Sequence, residues 1–151
     1  TILVEGDDMD EPISDAVRGI LDGHVVLSRR LANKHHYPAI DVLQSISRLF
    51  PYVNDPSVLK AAGYIKRMLA VFSESEDLIN VGAYVKGSNP EIDESIDKMP
   101  EINSFLTQNI TEKSNMEDTF KQLGNISGIE IIKEESRDEA LSIQAGTPAS
   151  D

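Results

Sequence analysis

The sequence contains no cysteine and no tryptophan, and aromatic residues make up only 5% of its 151 residues. The lack of cysteine excludes a disulfide framework and a thiolate metal site, and the scarcity of aromatic residues makes any core mainly aliphatic. Apolar runs are only a few residues long, so we predict neither a membrane-spanning helix nor a secretory apolar segment within these residues. The motif Gly-x-x-x-x-Gly-Lys-[Ser/Thr], which holds nucleotide phosphates, is also absent.

The charge balance is strongly acidic, with a formal net charge of −12 at pH 7. This charge weighs against nucleic-acid binding and against adsorption to anionic lipid, because both need a basic surface. The five carboxylates between Glu5 and Glu11 lack the spacing of a calcium loop, so we interpret them as a solvated loop leading into a helix. Because His24, His35 and His36 lack zinc-ligand spacing, no metal site is predicted.

The first 50 residues read as an α/β segment. The apolar run Thr1–Val4, with no initiator methionine and no polar lead-in, is typical of a buried strand, and we expect such a chain to be part of something longer. A helix over Ser14–Leu21, a second buried strand at His24–Leu27 and a helix over Ser28–Lys34 follow, the last stopped by Tyr37-Pro38. The remainder reads as a loop and a short segment, so we predict a βαβ type of unit.

The pattern becomes helical after Pro51. Apolar residues recur at spacings of three and four over 56–80, which predicts one long amphipathic helix. After a break at Gly87–Pro90 a further helix follows, and Pro100 is expected to begin the next one at its first turn. A last helix is expected to run from Met116 to Gly124. Residues 127–151 are interpreted as a flexible tail.

Several local motifs occur together in one order along the chain. They are Val4–Met9 with Glu11-Pro12, Leu21–Arg29, Tyr37–Leu43 and Ser45–Arg48. In this combination the chain resembles the flagellum-specific export ATPase over about residues 1–110. That family is related to the catalytic subunit of the rotary ATP synthase and to the injectisome ATPases. The segment Ala83–Gly87 resembles the flagellar branch more than the synthase branch.

The resemblance implies a division of the chain into parts. Residues 1–54 would form the last strands and helices of a RecA-like nucleotide-binding core, so this part is α/β. Residues 55–126 would form the C-terminal α-helical bundle that faces the channel of a ring, and 127–151 a tail. The turn between the first two C-terminal helices, roughly Gly82 to Asp93, would then point into the channel.

The resemblance also implies roles for Arg48 and Tyr37. The arginine of the Ser-x-Ser-Arg motif, here Arg48, would reach across a subunit boundary to the γ-phosphate of a neighbour's ATP, where its planar charged fork suits phosphate oxygens. The alternative is a surface arginine paired with a carboxylate. Tyr37, held by Pro38, would pack on the adenine ring; the alternative is an ordinary half-buried tyrosine.

The whole protein would then be a homohexameric ATPase that uses ATP and Mg²⁺ to energise export of flagellar subunits. Its implied partners are a coiled-coil stalk protein, a peripheral export regulator, and export substrates with their chaperones. Its implied location is cytoplasmic, at the export gate of the inner membrane. Without a phosphate-binding loop, this chain alone is expected to be inactive and to bind no nucleotide tightly. Two alternatives are an injectisome type III secretion ATPase and a non-enzymatic acidic adaptor domain.

Overall fold

The computed structural model describes residues 12–131, so the predicted strand at Thr1–Val4, the acidic segment before Pro12 and residues 132–151 lie outside the described residues. We call residues 12–53 the α/β region and residues 54–131 the helical region. The elements in chain order are α1 (Pro12–Ile20), β1 (Gly23–Leu27), α2 (Arg29–Asn33), β2 (Ile40–Ser47), α3 (Phe50–Val53), α4 (Pro56–Asn80), α5 (Pro90–Leu106) and α6 (Met116–Ser127).

Strands β1 and β2 pair antiparallel in a two-stranded sheet. The prediction of only a loop and a short segment after Tyr37 is therefore wrong, because residues 40–47 form a full strand. Val25 is opposed by the stretch Val42 to Ser45, which makes a bulge in β2. The bulge breaks the alternation of apolar and polar residues, and that alternation is the sequence signal for a strand.

Strand β1 forms where the sequence predicts it, but it is not buried among the described residues. Val25 and Leu27 are both exposed, because no described element covers their side of the strand. The first strand of the predicted βαβ unit lies outside the described residues. The strand pairing that the structure describes is therefore the antiparallel one alone.

Helix α2 ends earlier than Tyr37, in a motif that usually contains glycine. The N–H of His35 donates to Ala32 O and that of His36 to Leu31 O, both at 3.0 Å. This is a Schellman ending, and His35 occupies its left-handed position with φ +57°. Helix α4 ends in the same way, but there Gly82 takes the left-handed position with φ +70°.

The helical region contains every buried apolar side chain of residues 12–131. These side chains come from α4, α5 and α6 and form one cluster around Ile102, with Met99 beside it: Val58, Ala61, Ile65, Met68, Ile102, Leu123 and Ile126. Phe105 and Phe120 pack on the cluster from its rim. The region therefore has a core of its own, formed by three helices.

Two predicted helix boundaries in this region are wrong. Pro100 does not begin a helix but lies inside α5, which continues from Pro90 to Leu106. The proline removes one backbone hydrogen bond, yet Met99 and Ile102 stay buried on either side of it, so packing outweighs that loss. Helix α6 does not end at Gly124 but runs to Ser127, because Gly128 supplies the left-handed residue, with φ +69°.

The two regions meet through α2, the turn after it, β2 and α3. Glu76 on α4 pairs with Lys34 at 2.9 Å and with Arg30 at 3.5 Å. The N–H of Gln108, just beyond α5, donates to Tyr37 O at 2.8 Å. Within residues 12–131 no helix has the length and apolar composition needed to cross a membrane.

Candidate functional site

Arg48 follows the last residue of β2 and lies at an exposed edge of the α/β region. Its backbone N–H donates to Asp22 O at 2.8 Å, which extends the pairing of β1 and β2 by one bond. Its guanidinium Nη2 lies 3.5 Å from Gly19 O, at the end of α1. Both contacts hold Arg48 against the turn that joins α1 to β1, and most of the side chain remains open to solvent.

The alternative for Arg48 was a surface arginine paired with a carboxylate. Within residues 12–131, no carboxylate lies within ion-pair distance of its guanidinium. The exposed Arg67 behaves differently, because it pairs with Glu91. Among the described residues, the Arg48 guanidinium therefore keeps most of its hydrogen-bond donors available for an anion.

Tyr37 lies in the turn between α2 and β2, and its side chain is 51% exposed. A cis peptide bond joins it to Pro38. The side chain faces an open cavity of about 560 Å³, whose lining is mostly polar: His35, Tyr37, Ser104, Thr107, Gln108, Asn109, Ile110 and Glu112. An aromatic ring on one wall and hydrogen-bonding groups on the other suit a flat heterocycle.

The opposite wall of this cavity was not anticipated from the sequence. Residues Ser104 to Glu112 belong to the end of α5 and the loop after it, far from Tyr37 along the chain. The hydrogen bond from Gln108 N to Tyr37 O brings them together. A polar stretch after a helix predicts a loop, but nothing in it indicates which turn it will face.

The structure does not bring Arg48 and Tyr37 together. Tyr37 precedes β2 and Arg48 follows it, so the strand lies between them. Because Ile40 pairs with Leu27 and Ser47 with Gly23, the two ends of β2 are separated by four residue steps of β1, which is about 13 Å. Arg48 and Tyr37 therefore lie at opposite ends of the strand.

The loop between α4 and α5, residues 81–89, is held to α5 by specific bonds. Tyr84 Oη lies 3.0 Å from Asn89 O and 2.9 Å from Asp93 Oδ1, and the two oxygens share its one hydroxyl proton as acceptors. Lys86 donates to Asp97 at 3.0 Å, and this bond raises the pKa of Lys86 above its ordinary value. Val85 is 70% exposed. The loop therefore presents Val85 outward, while Tyr84 braces it from inside.

No group of three or more histidine, aspartate or glutamate side chains within residues 12–131 is arranged to hold a metal ion. The acidic segment Glu5–Glu11 lies outside the described residues. Among the described residues, the candidate functional groups are therefore the Arg48 guanidinium, the Tyr37 ring and the loop 81–89.

Two family models match the chain. Residues 1–47 match the ATP synthase alpha/beta family, nucleotide-binding domain. Residues 54–125 match the T3SS EscN ATPase C-terminal domain. Tyr37 falls within the first match, whereas Arg48 lies in the short interval between the two.

Among curated proteins, the chain is 52% identical over 133 residues to the flagellum-specific ATP synthase of Treponema pallidum, and it covers 30% of that protein. Among solved structures, it superimposes with a TM-score of 0.80 and 39% identity on the assembled ATPase EscN of the enteropathogenic E. coli type III secretion system. That match covers 84% of this chain and 31% of EscN. EscN in complex with its central stalk EscO gives a TM-score of 0.73 at 40% identity, over 77% of this chain and 29% of EscN.

These matches agree with the likeness read from the motifs of the sequence. The chain spans about 30% of the length of the relatives that it matches. The chain therefore belongs to the family of flagellar and type III secretion ATPases, which is related to the ATP synthase alpha/beta family, and it carries the C-terminal domain of that family.

Proposed function

We propose that this chain is the C-terminal portion of an ATPase that drives export of flagellar subunits. In this proposal the whole protein forms a homohexameric ring, and each subunit supplies Arg48 to the ATP bound by its neighbour. The observation that carries the proposal is that the exposed Arg48 guanidinium has no carboxylate within ion-pair distance among the described residues and lies at the other end of β2 from Tyr37. A guanidinium available at this edge suits a phosphate that a neighbouring subunit holds.

The surroundings of Arg48 and Tyr37 support these roles. The Arg48 guanidinium is exposed and lacks a carboxylate partner among the described residues, so it is available for phosphate oxygens. The Tyr37 ring borders an open cavity with polar walls, which fits an adenine base. ATP would supply the phosphoanhydride bond and Mg²⁺ the charge neutralisation on its phosphates, and both would be held mainly by residues outside this chain.

The test of the Arg48 role is Arg48→Ala in the full-length protein. Because such an arginine acts mainly on the charge that develops in the transition state, ATP binding should stay nearly intact while turnover falls by about 10³-fold or more. Arg48→Lys should restore little, since lysine lacks the fork. Arg67→Ala, another exposed arginine, is the matched control and should leave turnover unchanged. If Arg48→Ala kept more than about a third of normal turnover, Arg48 would be a surface residue without a role in ATP hydrolysis.

The chain of residues 1–151 alone should show neither ATP turnover nor tight nucleotide binding. The sequence has no phosphate-binding loop, which provides the backbone amides and the lysine that hold phosphates. Isothermal titration with magnesium-ATP measures this directly. Binding in the micromolar range together with turnover would contradict the proposal.

We also infer that the loop 81–89 meets a coiled-coil stalk inside the ring. The exposed side chain of Val85 and that of Val81, 75% exposed, give this loop an apolar tip that no described residue covers. Replacing Tyr84, Val85 and Lys86 together with serine is a poor test, because Tyr84 braces the loop through Asn89 and Asp93. Val85→Ser is the sharper variant, and Lys60→Ser, an exposed position on α4, is its control.

Val85→Ser should keep the helical circular dichroism and lower the stimulation of turnover by the stalk protein in the full-length ring. The control should change neither quantity. Unchanged stimulation with an intact fold would mean that the stalk contacts another surface.

The remaining parts of the proposal are a peripheral regulator, export substrates with chaperones, and a cytoplasmic position at the export gate of the inner membrane. The likeness to EscN supports an injectisome ATPase as the second candidate. Expression of the full-length gene in a strain that lacks its flagellar ATPase distinguishes the two, because only a flagellar enzyme should restore filament growth. A reading frame without an upstream phosphate-binding loop would instead favour the adaptor alternative.

A further inference from the structure

Gly23, the first residue of β1, has no room for a side chain beside β2. A Cβ atom at this position would lie 2.7 Å from Ile46 O and 3.2 Å from Ser47 Cα. Both neighbours are backbone atoms, which cannot turn aside as the end of a flexible side chain can. Gly23 is therefore required here for a close approach, and any side chain would push the end of β2 away from β1.

Arg48 directly follows the end of β2 that packs closely against Gly23. Gly23 pairs with Ser47, and Arg48 is the next residue along the chain. The N–H of Arg48 donates to Asp22 O at 2.8 Å, next to Gly23. The guanidinium then reaches Gly19 O at 3.5 Å, four residues before Gly23. The turn from Gly19 to Gly23 thus holds Arg48 by its backbone and by its side chain.

We propose that Gly23 is a positioning residue for Arg48: its missing side chain lets the end of β2 dock on the α1–β1 turn and so sets where the guanidinium emerges. The inference rests on the proposed role of Arg48 toward the neighbour's phosphates. A methyl group at position 23 would need several tenths of an ångström of strand displacement, since ordinary contacts to such atoms begin near 3.4 Å. Arg48 would move with the strand.

The first test compares Gly23→Ala with Gly63→Ala in the full-length protein. Gly63 is exposed on α4 and a Cβ there would meet nothing within 4 Å, so the change is a control away from Arg48. Because misplacement of a catalytic group by about 1 Å can cost on the order of 10²-fold, Gly23→Ala should lower kcat by about tenfold or more. The KM for ATP should change less than about threefold, and Gly63→Ala should match the wild type.

The second test separates displacement of Arg48 from general damage. Subunits with Gly23→Ala are mixed with subunits that carry an inactivating change in the phosphate-binding loop but an intact Arg48. In mixed rings the Gly23→Ala subunit binds ATP and its neighbour supplies the arginine, so turnover should reappear at mixed interfaces. Failure to regain turnover, or a large loss of ATP affinity in Gly23→Ala, would overturn the inference in favour of a structural role alone.

A third measurement needs no bound nucleotide. Amide hydrogen exchange on the chain of residues 1–151 should show a protected Arg48 N–H that exchanges about tenfold faster or more in Gly23→Ala, and unchanged exchange in Gly63→Ala. Unchanged exchange at Arg48 in Gly23→Ala would also overturn the inference. Arg48→Ala in parallel distinguishes the two claims: if it keeps its turnover, the proposed function of Arg48 fails, whatever Gly23→Ala does. If Arg48→Ala loses turnover while Gly23→Ala keeps it, the positioning role of Gly23 fails.

Discussion

The α/β region and the helical region differ in what holds them together. Every buried apolar side chain of the described residues belongs to the helical region, whose three helices enclose Ile102 and Met68. In the α/β region the buried residue is Ser14, and large apolar side chains such as Ile20, Leu27 and Val53 stay exposed. Because apolar burial is the dominant favourable contribution to folding, the helical region has its own source of stability and the α/β region depends on neighbours.

The two regions also differ in charge. The described α/β region has more basic than acidic side chains, whereas the helical region has an excess of carboxylates. The carboxylates of the α/β region are Asp15, Asp22 and Asp41; its basic residues are Arg18, Arg29, Arg30, Lys34 and Arg48. This difference lets opposite charges meet across the boundary, where Arg30 and Lys34 pair with Glu76.

The largest consequence of this comparison concerns folding in isolation. A polypeptide of residues 54–131 should fold alone, with helical circular dichroism and a cooperative thermal transition, since it retains the whole buried cluster. A polypeptide of residues 12–53 should show no cooperative transition, because its apolar side chains have no core to enter. A cooperative transition in 12–53, or its absence in 54–131, would break the comparison.

The next consequence concerns the same substitution in each region. Val58, on α4, is 3% exposed and Val53, on α3, is 71% exposed. Val58→Ala should lower the free energy of unfolding of the chain by about 2–3 kcal/mol, through lost apolar burial and a residual cavity. Val53→Ala should change it by about 0.5 kcal/mol or less. Urea titration followed by circular dichroism gives both values, and similar losses at the two positions would contradict the division.

Much of the helical region could be predicted from the spacing of apolar residues, because α4 is long and strongly periodic. The spacing does not show which apolar residue of a neighbouring pair is buried: Met68 is fully buried, whereas Leu69 is only partly buried against the cluster. Pro100 misled the prediction, since a local rule for helix starts competes here with the burial of Ile102. Whether a helix continues through a proline depends here on packing against other helices, and such packing cannot be read from the neighbouring sequence.

The α/β region was harder to predict for physical reasons. Strand β2 contains an internal turn, in which Asp41 Oδ1 accepts from Leu43 N and Gln44 N at 3.1 Å, so its pattern of apolar residues is irregular. The motifs that indicate Tyr37 and Arg48 are local, so the sequence alone could propose both residues. The cavity wall around Gln108 could not be proposed in this way, because only the fold brings it to Tyr37.

A third prediction compares the two Schellman endings. Gly82 and His35 occupy the same left-handed position, after α4 and α2 respectively. Gly82→Ala should destabilise the chain by about 1 kcal/mol, since open space surrounds the new Cβ and only the backbone conformation is penalised. His35→Gly should stabilise the chain by about 0.5–1 kcal/mol, because glycine adopts the left-handed conformation without the penalty that a side chain brings. The gain is smaller than the full penalty, since glycine also has more freedom in the unfolded chain. Thermal unfolding of both variants tests the pair, and destabilisation by His35→Gly would show that its side chain contributes more than its backbone costs.

The smallest expected effect lies where the regions meet, at the ion pairs of Glu76 with Lys34 and Arg30. The hydrogen bond from Lys34 is the main cause that holds the pKa of Glu76 below its ordinary value of 4.5. A carboxyl with a lowered pKa in the folded chain stabilises the fold at neutral pH. This stabilisation is lost as the pH falls from the ordinary value through the lowered one.

The measurement is a double-mutant cycle of Glu76→Gln and Lys34→Gln on the chain of residues 1–151. The coupling at pH 7 should be about 0.5 kcal/mol, as for other partly exposed pairs, and it should shrink in 1 M salt. The Lys86–Asp97 pair lies within the helical region and is more exposed, so its cycle is the control and should give a smaller coupling. The difference in unfolding free energy between wild type and Glu76→Gln should also fall as the pH drops below 4.5. A coupling near zero at pH 7, or a difference that persists at low pH, would mean that the Gln108–Tyr37 hydrogen bond and apolar contacts alone join the two regions.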